Sequence, residues 1–268
     1  MFTKAILRLP SRNFAEGLTT AELGAPNYQL ALEQHAAYCT ALEACGLKLI
    51  RLEAEPAYPD SCFVEDAAII IRDERADAAH VILTRPGAES RRGEVALIRN
   101  QLSNLFRSFS EIRSPGTLDG GDVCEAGEHF FIGISERTNE EGARQLAETL
   151  KSRALTSSFV DIRTHAQDAR ATSLLHLKSG LAHLGNHSLV VTEALAKGEE
   201  FRGYELIHVD PTENYAANCV EINGRVLIAA GHPRFEVGLG ALGYETIALD
   251  MSEFQRMDGG LSCLSLRW

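Results

Sequence analysis

Cys263 stands in the segment Asp258-Gly-Gly-Leu-Ser-Cys263-Leu-Ser-Leu-Arg-Trp268. Once deprotonated, a thiol is the strongest nucleophile among the ordinary side chains. The glycine pair ahead of it lets the backbone turn tightly or pass close to a ligand. The obvious proton-transfer partner is His176, in Leu174-Leu-His176-Leu-Lys-Ser-Gly180. Asp119, in Leu118-Asp119-Gly-Gly-Asp122, is the candidate to orient that imidazole and favour its cation. The three lie far apart in the chain, so only the fold can bring them together. A histidine in an apolar stretch serves equally well as a core residue.

The acidic residues narrow the chemistry. Asp60, Glu65, Asp66, Asp119, Asp122 and Asp258 all occur in short segments beside apolar strands. Gathered around one thiolate they would repel one another and raise each other's pKa. A planar cation resolves that conflict, because a guanidinium offers five N–H donors in a fixed fork that carboxylates accept in pairs. Arg85 and Arg137 each follow a strand and precede a helix, where they could take an α-carboxylate. Together these residues describe a pocket for an arginine-like amino acid. Its guanidinium carbon is a poor electrophile. Attack there needs a thiolate held close and an acid for the leaving nitrogen.

Residues so scattered must be positioned by a repeating frame. Apolar strand patterns recur along the chain, with helix patterns about 40–60 residues apart. Helices are expected from Asn27 to Cys45, near Ser90–Arg107, from Asn139 to Lys151, over Glu193–Ala196 and near Pro233–Leu242. Glu65-Asp66, Asp119, His176, Asn218 and Cys263 each fall between strands of successive units. In a closed radial repeat such positions converge on one axis. Residues 10–26, rich in Gly, Pro, Ser and Thr, form a loop long enough to act as a lid.

Composition excludes several classes. A formal charge of −11 argues against nucleic acid or an anionic membrane surface as partner. No apolar run reaches membrane-spanning length, and Met1–Pro10 reads as a strand rather than a signal peptide, so the expected location is the cytoplasm. The six cysteines include no CxxC pair and read as reduced thiols. His183 and His187 have metal-like spacing, but Gly185-Asn186 between them makes a turn and no further ligand stands nearby. The glycine pairs at 120–121 and 259–260 lack the phosphate-loop lysine.

The segments Pro59–Asp66, Thr84–Arg92, Leu118–Asp122, Arg137–Asn139, Leu175–Ser179, Tyr215–Asn218 and Met257–Cys263 occur in an order that resembles the dimethylarginine dimethylaminohydrolase family, within the guanidine-modifying superfamily. The resemblance runs from the first strand to Cys263. It implies a single α/β domain over 1–268, a five-bladed α/β propeller of pseudo-fivefold ββαβ repeats. It also implies hydrolysis of Nω-methylated arginines to citrulline and a methylamine, with no metal and no cofactor. Cys263 would be the nucleophile, His176 the general acid and then base, and Asp119 the third member, where some relatives carry glutamate. Asp66 and Asp258 would hold the guanidinium with support from Glu65. Asp60 and the backbone of Leu18 would take the α-amino group, and Arg85 and Arg137 the α-carboxylate. The backbone of Met257 would line the pocket. The small-molecule substrate is the implied partner, and a homodimer is compatible with the chain. Cys62 departs from a small apolar residue usual in the family; it would pack or respond to oxidation. Arginine deiminases, amidinotransferases and a non-catalytic arginine binder are the alternatives, and the absence of an obvious inserted helical domain sets the chain apart from deiminases.

Overall fold

The computed structural model describes residues 1–73, 78–163 and 174–268. Part of the polar stretch expected before Leu174 lies outside the described residues. The chain starts with β1 (Lys4–Arg8), whose Ala5, Ile6 and Leu7 are fully buried, as a continuous apolar run in a covered strand should be. Helix α1 (Tyr28–Ala44) follows; the Asn27 side chain accepts a hydrogen bond from Leu30 N–H at 3.1 Å and satisfies one of its free amides. Gly46, at φ +90°, ends it, and β2 (Lys48–Leu52) lies parallel to β1.

The next unit states the plan that then recurs. β3 (Ala68–Asp73) and β4 (Ala78–Leu83) pair antiparallel with Ile70 opposite Val81; α2 (Glu94–Leu102) crosses over; β5 (Ser108–Glu111) returns parallel to β4. The third unit repeats it with β6 (Val123–Ala126), β7 (His129–Ile134), α3 (Glu140–Lys151) and β8 (Thr156–Asp161), α3 being capped by the Asn139 side chain. The fourth has β9 (Leu181–His183), β10 (Ser188–Val191) and β11 (Glu205–His208). The helix expected over Glu193–Ala196 is absent there: those residues are turns, and a 3-10 turn at Glu199–Phe201 takes its place. So few residues before Gly198 cannot repay helix nucleation. The fifth unit is β12 (Val220–Ile222), β13 (Arg225–Ala229), α4 (Pro233–Ala241) and β14 (Glu245–Leu249).

After a short helix, α5 (Ser252–Gln255), the chain reaches β15 (Leu266–Arg267), which pairs antiparallel with β1. The described residues form five three-stranded sheets, and the first pairs β15 with β1 in the order β15-β1-β2. The apolar clusters run between neighbouring sheets. Ile6 and Leu52 pack with Val81 and Leu83; Ile71 and Ile82 with Ile132; Phe131 and Val160 with Leu181 and Leu189; Val190 with Val226 and Ile228. A fifth cluster joins Leu227 and Leu249 to Ala5 and Leu7, so the series returns to its start.

The expected lid, 10–26, is irregular apart from a 3-10 turn at Phe14–Glu16. Its root is fixed by Phe14, fully buried with its ring centroid 5.9 Å from that of Phe63 and 5.6 Å from that of Phe254. Cys62 is buried beside them, and burial pushes its thiol well up, so it packs as an apolar group. Phe14→Ala is expected to cost about 3–5 kcal/mol of stability, read as a lower denaturant midpoint with an unchanged slope; a midpoint equal to wild type would show that the lid root is not part of the core.

Candidate functional site

The thiol is presented by a turn that glycine makes possible. Cys263 lies in the 3-10 turn Ser262–Leu264, and the residues ahead of it press against their surroundings. A Cβ on Gly259 would lie 2.2 Å from the Phe63 ring, and one on Gly260 would lie 2.5 Å from the Asn218 amide. Asn218 then fixes the turn from the fifth unit: its Oδ1 accepts from Ser262 N–H at 3.0 Å, and its Nδ2 donates to the Ser262 hydroxyl and the Lys178 carbonyl. The Tyr215 hydroxyl donates to the Gly259 carbonyl at 2.8 Å. Cys263 is a buried free thiol, and burial, with Glu65 and Asp66 adding to it, pushes its pKa up to about 12.

His176 comes from the fourth unit, just ahead of β9. Its Nε2 is 3.0 Å from Asp119 Oδ2, so the imidazolium donates there and Nδ1 is left for proton exchange. The ring lies over the backbone of Gly121, where a Cβ would stand 2.8 Å from Cγ and Nδ1. Burial opposes its charge, but Asp66, Asp122 and Asp119 outweigh that and raise it to about 9. Asp119 is held in turn: its Oδ1 accepts from Gly87 N–H at 2.9 Å and its own N–H donates to Thr138 Oγ1 at 3.1 Å.

Asp66 lies at the end of a short 3-10 turn ahead of β3. Oδ1 accepts from Gly121 N–H at 2.9 Å and Oδ2 pairs with Arg91 at 2.5 Å. Burial would raise its pKa; His176 and Arg91 more than reverse that and hold it at about 2. Cys263, His176, Asp119 and Asp66 line one cavity together with Leu18, Asp60, Arg137, Met257 and Asp258. At about 30 Å³ it has room for a water or two, not for an amino acid. The lid closes it. Asp60 accepts from Leu18 N–H at 3.0 Å, and Asp258 Oδ2 accepts from the Thr20 N–H and hydroxyl. Thr19 Oγ1 donates to the Arg256 carbonyl at 2.9 Å, and the Arg256 guanidinium donates to the Leu23 carbonyl.

Three of the acidic or basic residues expected at the ligand are placed differently. Glu65 does not line this cavity. Oε1 pairs with Lys178 at 2.5 Å, and Oε2 accepts from the Ser262 hydroxyl at 2.9 Å. It faces a separate cavity of about 280 Å³, lined also by Lys178, Ser262 and Arg267, that holds neither Cys263 nor His176. Asp122 is likewise spent on structure, accepting from Ser135, Thr138 and the N–H of Leu177, and burial lifts it to about 6. Arg85 is outside the cavity lining and donates to the Gly116 carbonyl at 3.1 Å. Its turn still meets that of Arg137, because a Cβ on Gly87 would lie 2.3 Å from the Arg137 carbonyl oxygen. Asp66, Asp119 and His176 also have metal-ligand proximity, their donor atoms within 4.8 Å of one another. Each carboxylate oxygen already accepts from one donor: Gly121 and Arg91 on Asp66, Gly87 and His176 on Asp119.

Arg91, Lys178, Ser262, Tyr215 and Thr20 take part without having been foreseen. Only Arg91 carries a local sign in the sequence, an arginine three residues ahead of a glutamate at a helix start.

A buried thiol and an acid-held imidazole that line one small pocket walled by carboxylates put the protein among cysteine-dependent α/β enzymes that accept cations. A family model described as N,N dimethylarginine dimethylhydrolase, eukaryotic, matches residues 21–229. The N(G),N(G)-dimethylarginine dimethylaminohydrolase of Pseudomonas aeruginosa is 41% identical over 269 residues, covering 100% of both chains. That of Streptomyces coelicolor is 34% identical over 270 residues, 98% of this chain and 96% of its own. The chain belongs to the dimethylarginine dimethylaminohydrolase family. A solved structure of the Pseudomonas aeruginosa protein, a cysteine-to-serine mutant complexed with citrulline, aligns with a TM-score of 0.91 at 40% identity over 100% of both chains.

The His176 charge makes a stability prediction. Its folded pKa, about 9, lies above the ordinary histidine value, so its contribution is full below about pH 6.5 and is lost as pH rises through 9. The denaturant midpoint is expected to fall between pH 7 and 10 more steeply in wild type than in His176→Gln; equal slopes would mean that the imidazole is not charged in the native protein.

Proposed function

We propose that the protein hydrolyses Nω-methylated L-arginines, asymmetric dimethylarginine and monomethylarginine, to L-citrulline and a methylamine through a covalent thiouronium on Cys263. The observation that carries this reading is the convergence of Cys263 and the His176–Asp119 pair on one cavity with Asp60, Asp66 and Asp258. The substrate guanidinium lies between Asp66 and Asp258. Asp60 and the Leu18 backbone take the α-amino group, Arg137 and Arg85 the α-carboxylate, and the Met257 backbone forms part of the wall. Arg85 spends one of its five N–H donors on Gly116. Glu65 acts on the nucleophile's turn through Ser262 rather than on the guanidinium.

A thiol raised to about 12 is inert until a cation enters. The bound guanidinium supplies that cation, and Cys263 gives up its proton to solvent water as the substrate settles. The thiolate attacks the guanidinium carbon, and His176, already protonated at neutral pH, donates to the departing methylamine nitrogen. The C–N bond breaks and the S–C bond remains as the thiouronium. Neutral His176 then takes a proton from water, which adds to the same carbon. Collapse expels the sulfur, which takes up the proton of the added hydroxyl, and leaves the ureido oxygen of citrulline. One water is consumed and one amine released.

The five sheets are best read as blades of a five-bladed α/β propeller forming one domain. The support is the cyclic series of apolar clusters, with β15 and β1 sharing the closing sheet. No described helix is long and apolar enough to cross a membrane.

Citrulline release from dimethylarginine, monomethylarginine and plain arginine tests the reading. Methylated substrates are expected to be preferred, with a transient mass adduct on the Cys263 peptide of quenched enzyme. Cys263→Ser is expected to lower turnover by about 10⁴-fold or more. Preference for plain arginine, or turnover by the serine variant at the wild-type rate, would overturn it.

A further inference from the structure

Arg91 closes the back of the cavity and is almost wholly buried, at 6% exposure. It stands in the turn Glu89–Arg91 that leads into α2. Its planar fork is committed on every side. Nε and Nη2 donate to the two oxygens of Glu94 at 3.0 and 2.8 Å, and Nη2 also donates to the Phe63 carbonyl at 3.0 Å. Nη1 reaches Asp66 Oδ2 at 2.5 Å. A structural ion pair needs only Glu94, itself buried, for charge and geometry; the contact to Asp66 is additional. With Gly121 N–H on Oδ1, two rigid donors from different units set the plane of the Asp66 carboxylate. Each of its oxygens keeps one acceptor position free. Those two positions are what a guanidinium needs for paired hydrogen bonds.

A fixed cation beside the residue meant to bind a cationic substrate would ordinarily compete with it. Glu94 removes the competition. The Arg91–Glu94 pair is net neutral, so it can hold Asp66 in place without cancelling its charge. We propose that Arg91, locked by Glu94, is a positioning residue for substrate binding, fixing the Asp66 carboxylate so that the substrate guanidinium meets it in one orientation. This rests on the reading of Asp66 as the guanidinium clamp. The charged and titratable groups facing Asp66 are Arg91 and Glu94 from the α2 side, His176, Asp119, Asp60 and Cys263. Of these, Arg91 and His176 are the cations, and His176 is also needed for proton transfer.

The test is the kinetics of dimethylarginine hydrolysis against pH in Arg91→Gln, Arg91→Lys and Asp66→Asn. Folding is checked by circular dichroism, and active fraction by labelling of Cys263. Arg91→Gln is expected to raise KM about tenfold or more and to move the acid limb of kcat/KM up by about 1 pH unit or more. Arg91→Lys keeps a charge but lacks the fork, so KM should still rise severalfold while the acid limb stays near wild type. A residue that served only packing would lower the active fraction and leave KM and the acid limb unmoved. That result, in either folded Arg91 variant, overturns the proposal. If Arg91→Gln does not fold, KM in Arg91→Lys decides alone. Asp66→Asn separates the two readings. If its KM is unchanged, the clamp assignment fails; if its KM rises while the Arg91 variants match wild type, the inference about Arg91 fails.

Discussion

The site depends on one buried carboxylate. Asp66 is enclosed with two other ionisable groups whose polar atoms approach within 4.8 Å, at a depth where an uncompensated charge is costly. It remains usable because donors from two units and an imidazolium surround it. The His176–Asp119 pair sits on the same Gly120-Gly121 segment that feeds Asp66 its amide, so the Asp66 carboxylate and the imidazole are registered to each other by the backbone. Bare glycine there is a packing requirement, since a side chain on Gly121 would collide with the imidazole.

Charge compensation also separates two of the cavities. Glu65 and Asp66 are neighbours in sequence yet serve opposite sides. Asp66 faces the thiol, whereas Glu65 turns to Lys178 and to the hydroxyl that precedes Cys263. The larger cavity therefore touches the back of the nucleophile's turn without opening onto the thiol. Volume alone points to the larger chamber, whereas Cys263, His176 and Asp119 line the smaller one.

Much of the frame could be read from the chain because its signals are local. Asn27 and Asn139 cap α1 and α3 where their spacing required, and Gly46 ends α1. The repeat was visible in strand order. The helix at Glu193–Ala196 failed because apolar spacing over so short a stretch does not suffice. The chemical residues were partly legible as well: Cys263, His176, Asp119 and Asp66 meet as their residue types suggested. The directions of Glu65, Asp122 and Arg85 were not, because which face a side chain takes inside a 3-10 turn (Glu65, Asp122) or an isolated bridge (Arg85) is set by partners far away, such as Ser262, Thr138 and Gly116. Arg91 was invisible as a site residue for the same reason, since its partner Asp66 is 25 residues away.

The pairing of β15 with β1 has a consequence for how the molecule is born. Cys263 lies three residues ahead of the strand that completes the first sheet. As the chain leaves the ribosome, the other four sheets, the imidazole and the carboxylates emerge before the sulfur does. The thiol and the strand that completes the first sheet thus arrive together, on one short segment.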